Sequence, residues 1–399
     1  MVQDFGKIKA AIIRGGTSKG VYLMENELPL DEKHREEVIL SLFGSPDVRQ
    51  IDGLGGADPL TSKVAIIKPS LREDADVDYT FGQVSIDKKH IDYRSNCGNI
   101  SSGVGPFAID EGIVPAVEPV TVVRIYNSNT QKIIESEVPV RNGKAETTGD
   151  CYIPGVPGPG AKIMLNFVNS GGSKTGKTLP TGKPKDIVTL ENGKKIEISI
   201  VDASTPSVFI RASDIGLTGT ETPEQIETSP ERLELLEEIR AIGACMLGFV
   251  KTKEEAKLIS QSVPKIIFVS PPQSYQGING NNVAEESIHF TARALAMGKM
   301  HKAFAVTGGI CTSTASLIEG TVVNEVSKFS SNGDITIGHP SGTMDFSIKL
   351  GYKGDQYHVT RSAVARTSRR LMDGYAYIPS KILWKKTSDT YKTEKTKTT

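Results

Sequence analysis

Arg94-Ser95-Asn96-Cys97-Gly98-Asn99-Ile100-Ser101-Ser102-Gly103-Val104-Gly105-Pro106-Phe107-Ala108-Ile109 follows a strand-like alternating run, Val77 to Ile91. It holds a thiol, two amides, hydroxyls and three glycines in a turn and the helix start that would follow. Asn99, Ser101 and Ser102 are residue types that cap helices. Val104, Phe107, Ala108 and Ile109 then recur at helical spacing. A thiol beside a helix N-terminus meets unpaired N–H groups and the positive end of the helix dipole. These favour a thiolate and attract carboxylates. The competing reading is a small buried Cys in a glycine-rich turn.

Working outward, two more loops have the same make-up. Lys9 to Arg14 reads as a strand ending in Gly15-Gly16-Thr17-Ser18-Lys19-Gly20, and a second strand, Val21 to Met24, follows. Such a loop is either an anion-binding concavity or a hairpin turn chosen for positive φ. Asp31 to Phe43 reads as a helix. The glycine loop Asp52 to Ser62 then leads to Lys63, the last polar residue before the apolar strand Val64 to Ile67. Partly desolvated there, Lys63 could serve as a base or a carboxylate partner; otherwise it is a surface lysine at a strand start.

The totals narrow the classes. The 399 residues are 38% hydrophobic, enough for about two domains. With 47 basic and 47 acidic side chains there is no surplus to hold nucleic acid or a membrane surface. Cys97, Cys151, Cys245 and Cys311 form no C-x-x-C pair, so no zinc module is expected and a reducing, cytoplasmic setting is. No apolar run has the length of a membrane span.

Beyond the central stretch, Val120 to Tyr126 and Ile133 to Val140 read as paired strands, and Lys144 to Cys151 as a third. Gly171-Gly-Ser-Lys-Thr-Gly-Lys-Thr178 matches the phosphate loop of nucleotide hydrolases. Pro180, Gly182 and Pro184 forbid the helix that loop requires, so a solvated loop between domains is the better reading. Pro230 to Met246 reads as a helix, Lys265 to Val269 as a strand, and Glu285 to Met300 as a helix. Thr307-Gly-Gly-Ile-Cys311-Thr-Ser-Thr-Ala-Ser316 repeats the composition of the opening stretch and suggests a pseudo-repeat.

Taken together, Arg14-Gly-Gly-Thr-Ser-Lys-Gly20, Asp52-Gly-Leu-Gly-Gly56, Thr61-Ser-Lys63 and Asn96-Cys-Gly-Asn99 resemble the N-terminal marks of one family. Thr307-Gly308, Gly338-His-Pro-Ser-Gly342 and Arg366-Thr-Ser-Arg-Arg-Leu-Met-Asp-Gly374 resemble its C-terminal marks. This is the family of 2-methylaconitate cis–trans isomerases, 3-methylitaconate Δ-isomerases and oxalomesaconate tautomerases. The resemblance runs from about residue 8 to about 378, and segments 44–53 and 76–81 look most like the 3-methylitaconate branch.

The resemblance implies an α+β, diaminopimelate epimerase-like fold with two pseudo-symmetric domains, each a mixed β-sheet wrapped around a central helix. Residues 1–181 would form the first domain and 182–371 the second. The segment 372–386 would be able to pack back on the first, and 387–399 would be a disordered tail. The implied site lies between the domains and takes a small di- or tricarboxylate, with no cofactor and no metal. No nucleic acid or membrane partner is expected, and a homo-oligomer stays open. Lys63 and Cys97 are the expected catalytic pair. Thr17, Ser18, Asn96, Gly98, Asn99, Cys311, Thr312 and Ser341 are the expected substrate-binding set. The implied reaction is an allylic proton transfer, (R)-3-methylitaconate to 2,3-dimethylmaleate, with methylaconitate or oxalomesaconate isomerisation as alternatives. A nucleotide hydrolase and a non-catalytic accessory protein are the readings from other classes.

Overall fold

The computed structural model describes residues 4–93, 97–296, 298–328, 330 and 332–384. Asn96 and the tail 387–399 lie outside the described residues. Strands β1 (Phe5–Gly15) and β2 (Ser18–Met24) form an antiparallel hairpin closed by Gly16 at φ 48°. Helix α1 (Glu32–Phe43) starts where the Asp31 carboxylate accepts from the His34 N–H at 2.8 Å, and it stops at left-handed Gly44. Strand β3 (Lys63–Pro69) runs parallel to β2 and antiparallel to β4 (Val77–Val84). Alternation along β3 sends Val64 and Ile66 toward α1, while Ala65 and Ile67 join Tyr22 and Phe81 on the other face.

That other face receives α2 (Gly98–Ser101) and α3 (Val104–Asp110), a central helix broken in the middle. Pro106 explains the break, since it has no N–H to give the carbonyl of Ser102. Strands β5 (Val120–Asn127), β6 (Lys132–Arg141) and β7 (Ile163–Phe167) complete the wrap.

The second half repeats the plan. Strands β8 (Asp186–Thr189), β9 (Lys195–Ala203) and β10 (Thr205–Arg211) lead to α4 (Pro230–Met246), which covers the outer face with Leu236 and Ile239. Strand β11 (Lys265–Ser270) runs parallel to β10 and antiparallel to β12 (Phe290–Ala296). Helix α5 (Val306–Leu317) is the central helix here. It is enclosed with β13 (Asp334–His339), β14 (Gly342–Lys353) and β15 (Gln356–Arg366). Strand β15 also pairs with β7, and β16 (Ser368–Pro379) lies antiparallel along β1 from Gly15↔Ser368 to Phe5↔Pro379. One apolar cluster includes Val104 and Phe107 of the first central helix and Ile310 and Ala315 of the second. The architecture is the α+β, epimerase-like one that the resemblance implied.

Two expectations need correction. Glu285 to Met300 is not a helix; its centre is β12. Phe290 and Ala292 are buried in the central cluster and Leu295 in the outer one. Burying a Phe or Leu side chain contributes about 1.5–3 kcal/mol, against helix-propensity differences below about 0.7 kcal/mol per residue. Lys144 to Cys151 is a strand only at Lys144–Ala145, after which Cys151 makes an isolated bridge with Gly160.

The Gly171–Thr178 loop, read as a solvated loop and not a phosphate site, closes on a carboxylate of its own chain. Buried Asp202 accepts from Ser173 Oγ at 2.5 Å, from the Lys174 and Thr175 N–H groups at 2.8 Å each, and from Thr175 Oγ1 at 2.9 Å. The donors a phosphate would need are already engaged, and no helix follows.

Candidate active site

The two central helices begin against each other. A Cβ on Gly98, the first residue of α2, would lie 3.3 Å from Cγ2 of Val306, the first residue of α5. The expected residues of the first half gather around this junction. Asn99 Nδ2 donates to Thr17 Oγ1 at 3.0 Å, and a side chain on Gly15 or Gly16 would run into Asn99. The hairpin turn therefore lies against the first turn of α2, and its glycines permit that approach. Arg14 holds the turn from behind, donating through Nη1 to the carbonyls of Gly16 and Thr367 at 3.0 and 2.9 Å. Ser18 is buried on the helix-facing side of β2, and its hydroxyl has no partner among the described residues. Cys97 is the N-cap residue of α2, half-buried, with no capping bond from its side chain.

Lys63 is 7% exposed, on the same sheet face as Ser18. Its Nζ donates to Gln83 Oε1 at 2.5 Å and sits 5.3 Å from the centre of the Phe81 ring. Gln83 is itself fixed, because its Nε2 donates to the carbonyls of Pro59 and Ser62 at 3.1 and 3.0 Å. Among the described residues no carboxylate pairs with Lys63. The loop before it is shaped by buried Gln50, whose Oε1 accepts from Ser62 Oγ at 2.7 Å and the Ala57 N–H at 2.8 Å.

Ser341 lies in the second half. Its hydroxyl donates to the Lys302 carbonyl, and its N–H donates to His339 Nδ1 at 3.2 Å. Burial pushes His339 down to about 3, so its ring is neutral at physiological pH. Pro154, from the Pro/Gly loop of the first half, would stand 3.1 Å from a Cβ on neighbouring Gly342.

Cys311 and Thr312 are not brought to this junction. Both are fully buried inside α5. The Cys311 thiol donates to the Val201 carbonyl at 3.2 Å, and burial pushes it up to about 12. The Thr312 hydroxyl donates back to the Gly308 carbonyl at 2.7 Å. The helix began five residues earlier than the cysteine, so the stretch with the same composition as 94–109 holds its thiol in the core.

Arg366 had no assigned role in the sequence beyond its motif. It is 4% exposed at the end of β15, and its Cδ would lie 3.2 Å from a Cβ on Gly16. Its Nη1 donates to the Ala365 carbonyl at 2.8 Å, while its Nε has no partner among the described residues. Burial lowers it to about 10, and the nearby Cys97 and Cys151 oppose that shift. A buried guanidinium without a carboxylate is costly unless something else brings the negative charge. The available signal was an Arg ending an apolar strand, but Gly16 and Cys97, beside which it lies, are more than two hundred residues away in sequence.

This arrangement suits a carboxylate anion: among the described residues, two buried cations without carboxylate partners, hydroxyls of the hairpin turn, and a helix start. Among the described residues no cluster of His, Cys, Asp or Glu is arranged to hold a metal. The fold and its relatives define the class, an isomerase. The chain belongs to the PrpF protein family, whose model matches residues 5–379. It is 47% identical to the 3-methylitaconate isomerase of Eubacterium barkeri over 94% of this chain and 98% of that one. It is 37% identical to the 2-methyl-aconitate isomerase of Shewanella oneidensis over 94% and 97%. The crystal structure of a methylitaconate-delta-isomerase superposes with a TM-score of 0.89 at 46% identity, covering 96% of this chain and 98% of that one.

Proposed function

We propose that the chain shifts the double bond of a branched unsaturated dicarboxylate by allylic proton transfer, with (R)-3-methylitaconate going to 2,3-dimethylmaleate. The observation that carries this reading is Lys63: buried, held by Gln83, without a carboxylate partner among the described residues, and on the sheet face that receives the first central helix. The similarity to the Eubacterium barkeri enzyme supports the choice of substrate.

In the reaction the C–H bond next to one carboxylate breaks, and its electron pair forms the new internal double bond. The old π pair moves to the methylene carbon, which takes a proton and becomes a methyl group. No electrons are lost. Negative charge grows on a substrate that is already a dianion, so donors aimed at its carboxylates supply the stabilisation. Arg366, Ser18, Thr17 and the N–H groups of Gly98 and Asn99 would hold one carboxylate, and the backbone around Ser341 the other. Lys63 would move a proton at one of the two reacting carbons, with Cys97 beside it. The two halves of the chain would act as two domains enclosing this site.

The test is turnover of purified protein on (R)-3-methylitaconate, 2-methylaconitate and 4-oxalomesaconate. The expected result is the highest kcat/KM on (R)-3-methylitaconate. A tenfold preference for either of the others would replace this substrate, and turnover of none would end the reading.

A further inference from the structure

We infer that Lys265 is a second proton-transfer group of the site, the counterpart in the second half of Lys63 in the first. The inference deepens the proposed proton shift and rests on it.

The strand registers carry the argument. In the first half a hairpin closes at Gly15↔Ser18, the third residue of β2 is Gly20, and Gly20 pairs with Lys63, the first residue of parallel β3. In the second half a hairpin closes at Ala203↔Thr205, the third residue of β10 is Ser207, and Ser207 pairs with Lys265, the first residue of parallel β11. An antiparallel strand then flanks each, β4 beside β3 and β12 beside β11.

The faces agree as well. Ala65 and Ile67 look toward the first central helix, and Ile267 and Val269 lie in the same cluster as the buried face of the second. Strand alternation therefore puts both lysines on the helix-facing side. The Lys265 stem lies against the first turn of α5, where a Cβ on Gly308 would be 3.7 Å from its Cδ. That turn begins at Val306, the residue that meets Gly98.

One difference separates the lysines. Lys63 faces Gln83 across the register, whereas the pairing of β11 with β12 begins only at Ile266↔Leu295, one residue past Lys265. Among the described residues no hydrogen bond or ion pair holds the Lys265 ammonium. A structural lysine would have a counter-ion. Here burial lowers its pKa, and the neighbouring His301 is itself held low by burial and by the Lys265 charge, so it brings no counter-ion. A half-desolvated amine of this kind is suited to exchanging protons near neutral pH.

In the balanced step, one lysine as free amine takes the proton next to the carboxylate. The other, as ammonium, gives a proton to the methylene carbon, and both regain their starting states through water.

The experiment follows isomerisation and deuterium exchange in heavy water by proton NMR for wild type, Lys63→Met, Lys265→Met and Lys265→Arg. Each variant is expected to isomerise at least ~100-fold more slowly. The two Met variants should retain complementary half-reactions. One should still exchange the C–H of 3-methylitaconate, and the other the methyl hydrogens of dimethylmaleate. Lys265→Arg, which keeps charge and stem and is the safer variant for folding, should stay slow. Recovery in Lys265→Arg above a tenth of wild type would make Lys265 a binding group and overturn the inference. So would isomerisation by Lys265→Met within threefold of wild type, or loss of both exchanges in that variant with Lys265→Arg active. A wild type that neither isomerises nor exchanges these compounds would instead defeat the underlying reading, and the inference with it.

Discussion

Cys97 and Cys311 stand in stretches of similar composition, yet the first caps a helix and the second is the sixth residue of one. Lys63 and Lys265 each open an apolar strand, Lys63-Val-Ala-Ile-Ile67 and Lys265-Ile-Ile-Phe-Val269, and they hold the same register position. The two halves are thus related through their strands and not through their cysteines. In the first half the thiol stands at the helix start, on the N-cap residue of α2. In the second the helix begins earlier, at Val306, and the same residue types become its buried face. Similar composition gave a different environment because the helix boundary moved, and the helix boundary decides which side chains meet solvent.

The largest effect that separates the halves should come from Lys63. Lys63→Ala is expected to lower kcat by about 10²–10⁴-fold, measured as steady-state turnover with folding checked by circular dichroism. Activity within threefold of wild type would remove it from the proton path. Next come the cysteines. Cys97→Ala should lower turnover, whereas Cys311→Ala should leave kcat unchanged and lower the melting temperature, because it opens a cavity in the core. Iodoacetamide followed by peptide mass spectrometry should label Cys97 in the native protein and spare Cys311. Labelling of Cys311 at a similar rate would show that the second helix start is open.

Lys265 gives a smaller effect of opposite sign. Its folded-state pKa is lowered by burial, so carrying its charge into the fold costs stability. That cost is full below the folded pKa and vanishes as pH rises past the unfolded value, about 10.4. Lys265→Met should therefore melt at a higher temperature than wild type at pH 7, with the gap closing toward pH 10. A lower melting temperature at pH 7 would mean that the ammonium has a partner.

The smallest effect concerns how each central helix is anchored. Glu111, just past the end of α3, bonds Lys9 at 2.6 Å and Arg370 at 2.8 Å, tying the helix to β1 and β16. At the end of α5 the bond is uncharged, from Thr321 Oγ1 to the Ala315 carbonyl at 2.6 Å. Burial would raise the Glu111 pKa, but the bonds from Lys9 and Arg370 lower it on balance. Its stabilisation is present above the unfolded value of about 4.3 and is lost as pH falls through the lower folded value. Glu111→Gln should shift the urea midpoint downward at pH 7 and match wild type in acid. An unchanged midpoint at pH 7 would make the anchor negligible.

Much of this was legible in the sequence where the determinants are local. The glycine loops, the Lys63 strand start and the Cys97 helix start each follow from a few adjacent residues. Thr17, Ser18, Gly98 and Asn99 come together because hairpin and helix meet, as their glycines allow. The rest was decided over long separations. Nothing near Arg366 in sequence says that it will lie beside Gly16, and nothing near Lys265 gives its register with Ser207. Segment 285–300 has helix-forming residues, but its place between β11 and β13 made it a strand.

The most direct test of the account is proton NMR of wild-type protein with (R)-3-methylitaconate in deuterated water. The account predicts conversion to 2,3-dimethylmaleate with one solvent deuterium in the new methyl group and no substrate hydrogen carried over. Conversion in which about a third of the product keeps the original hydrogen is what a single shared lysine, with three equivalent protons, would give. That result would contradict a site in which each half supplies its own lysine.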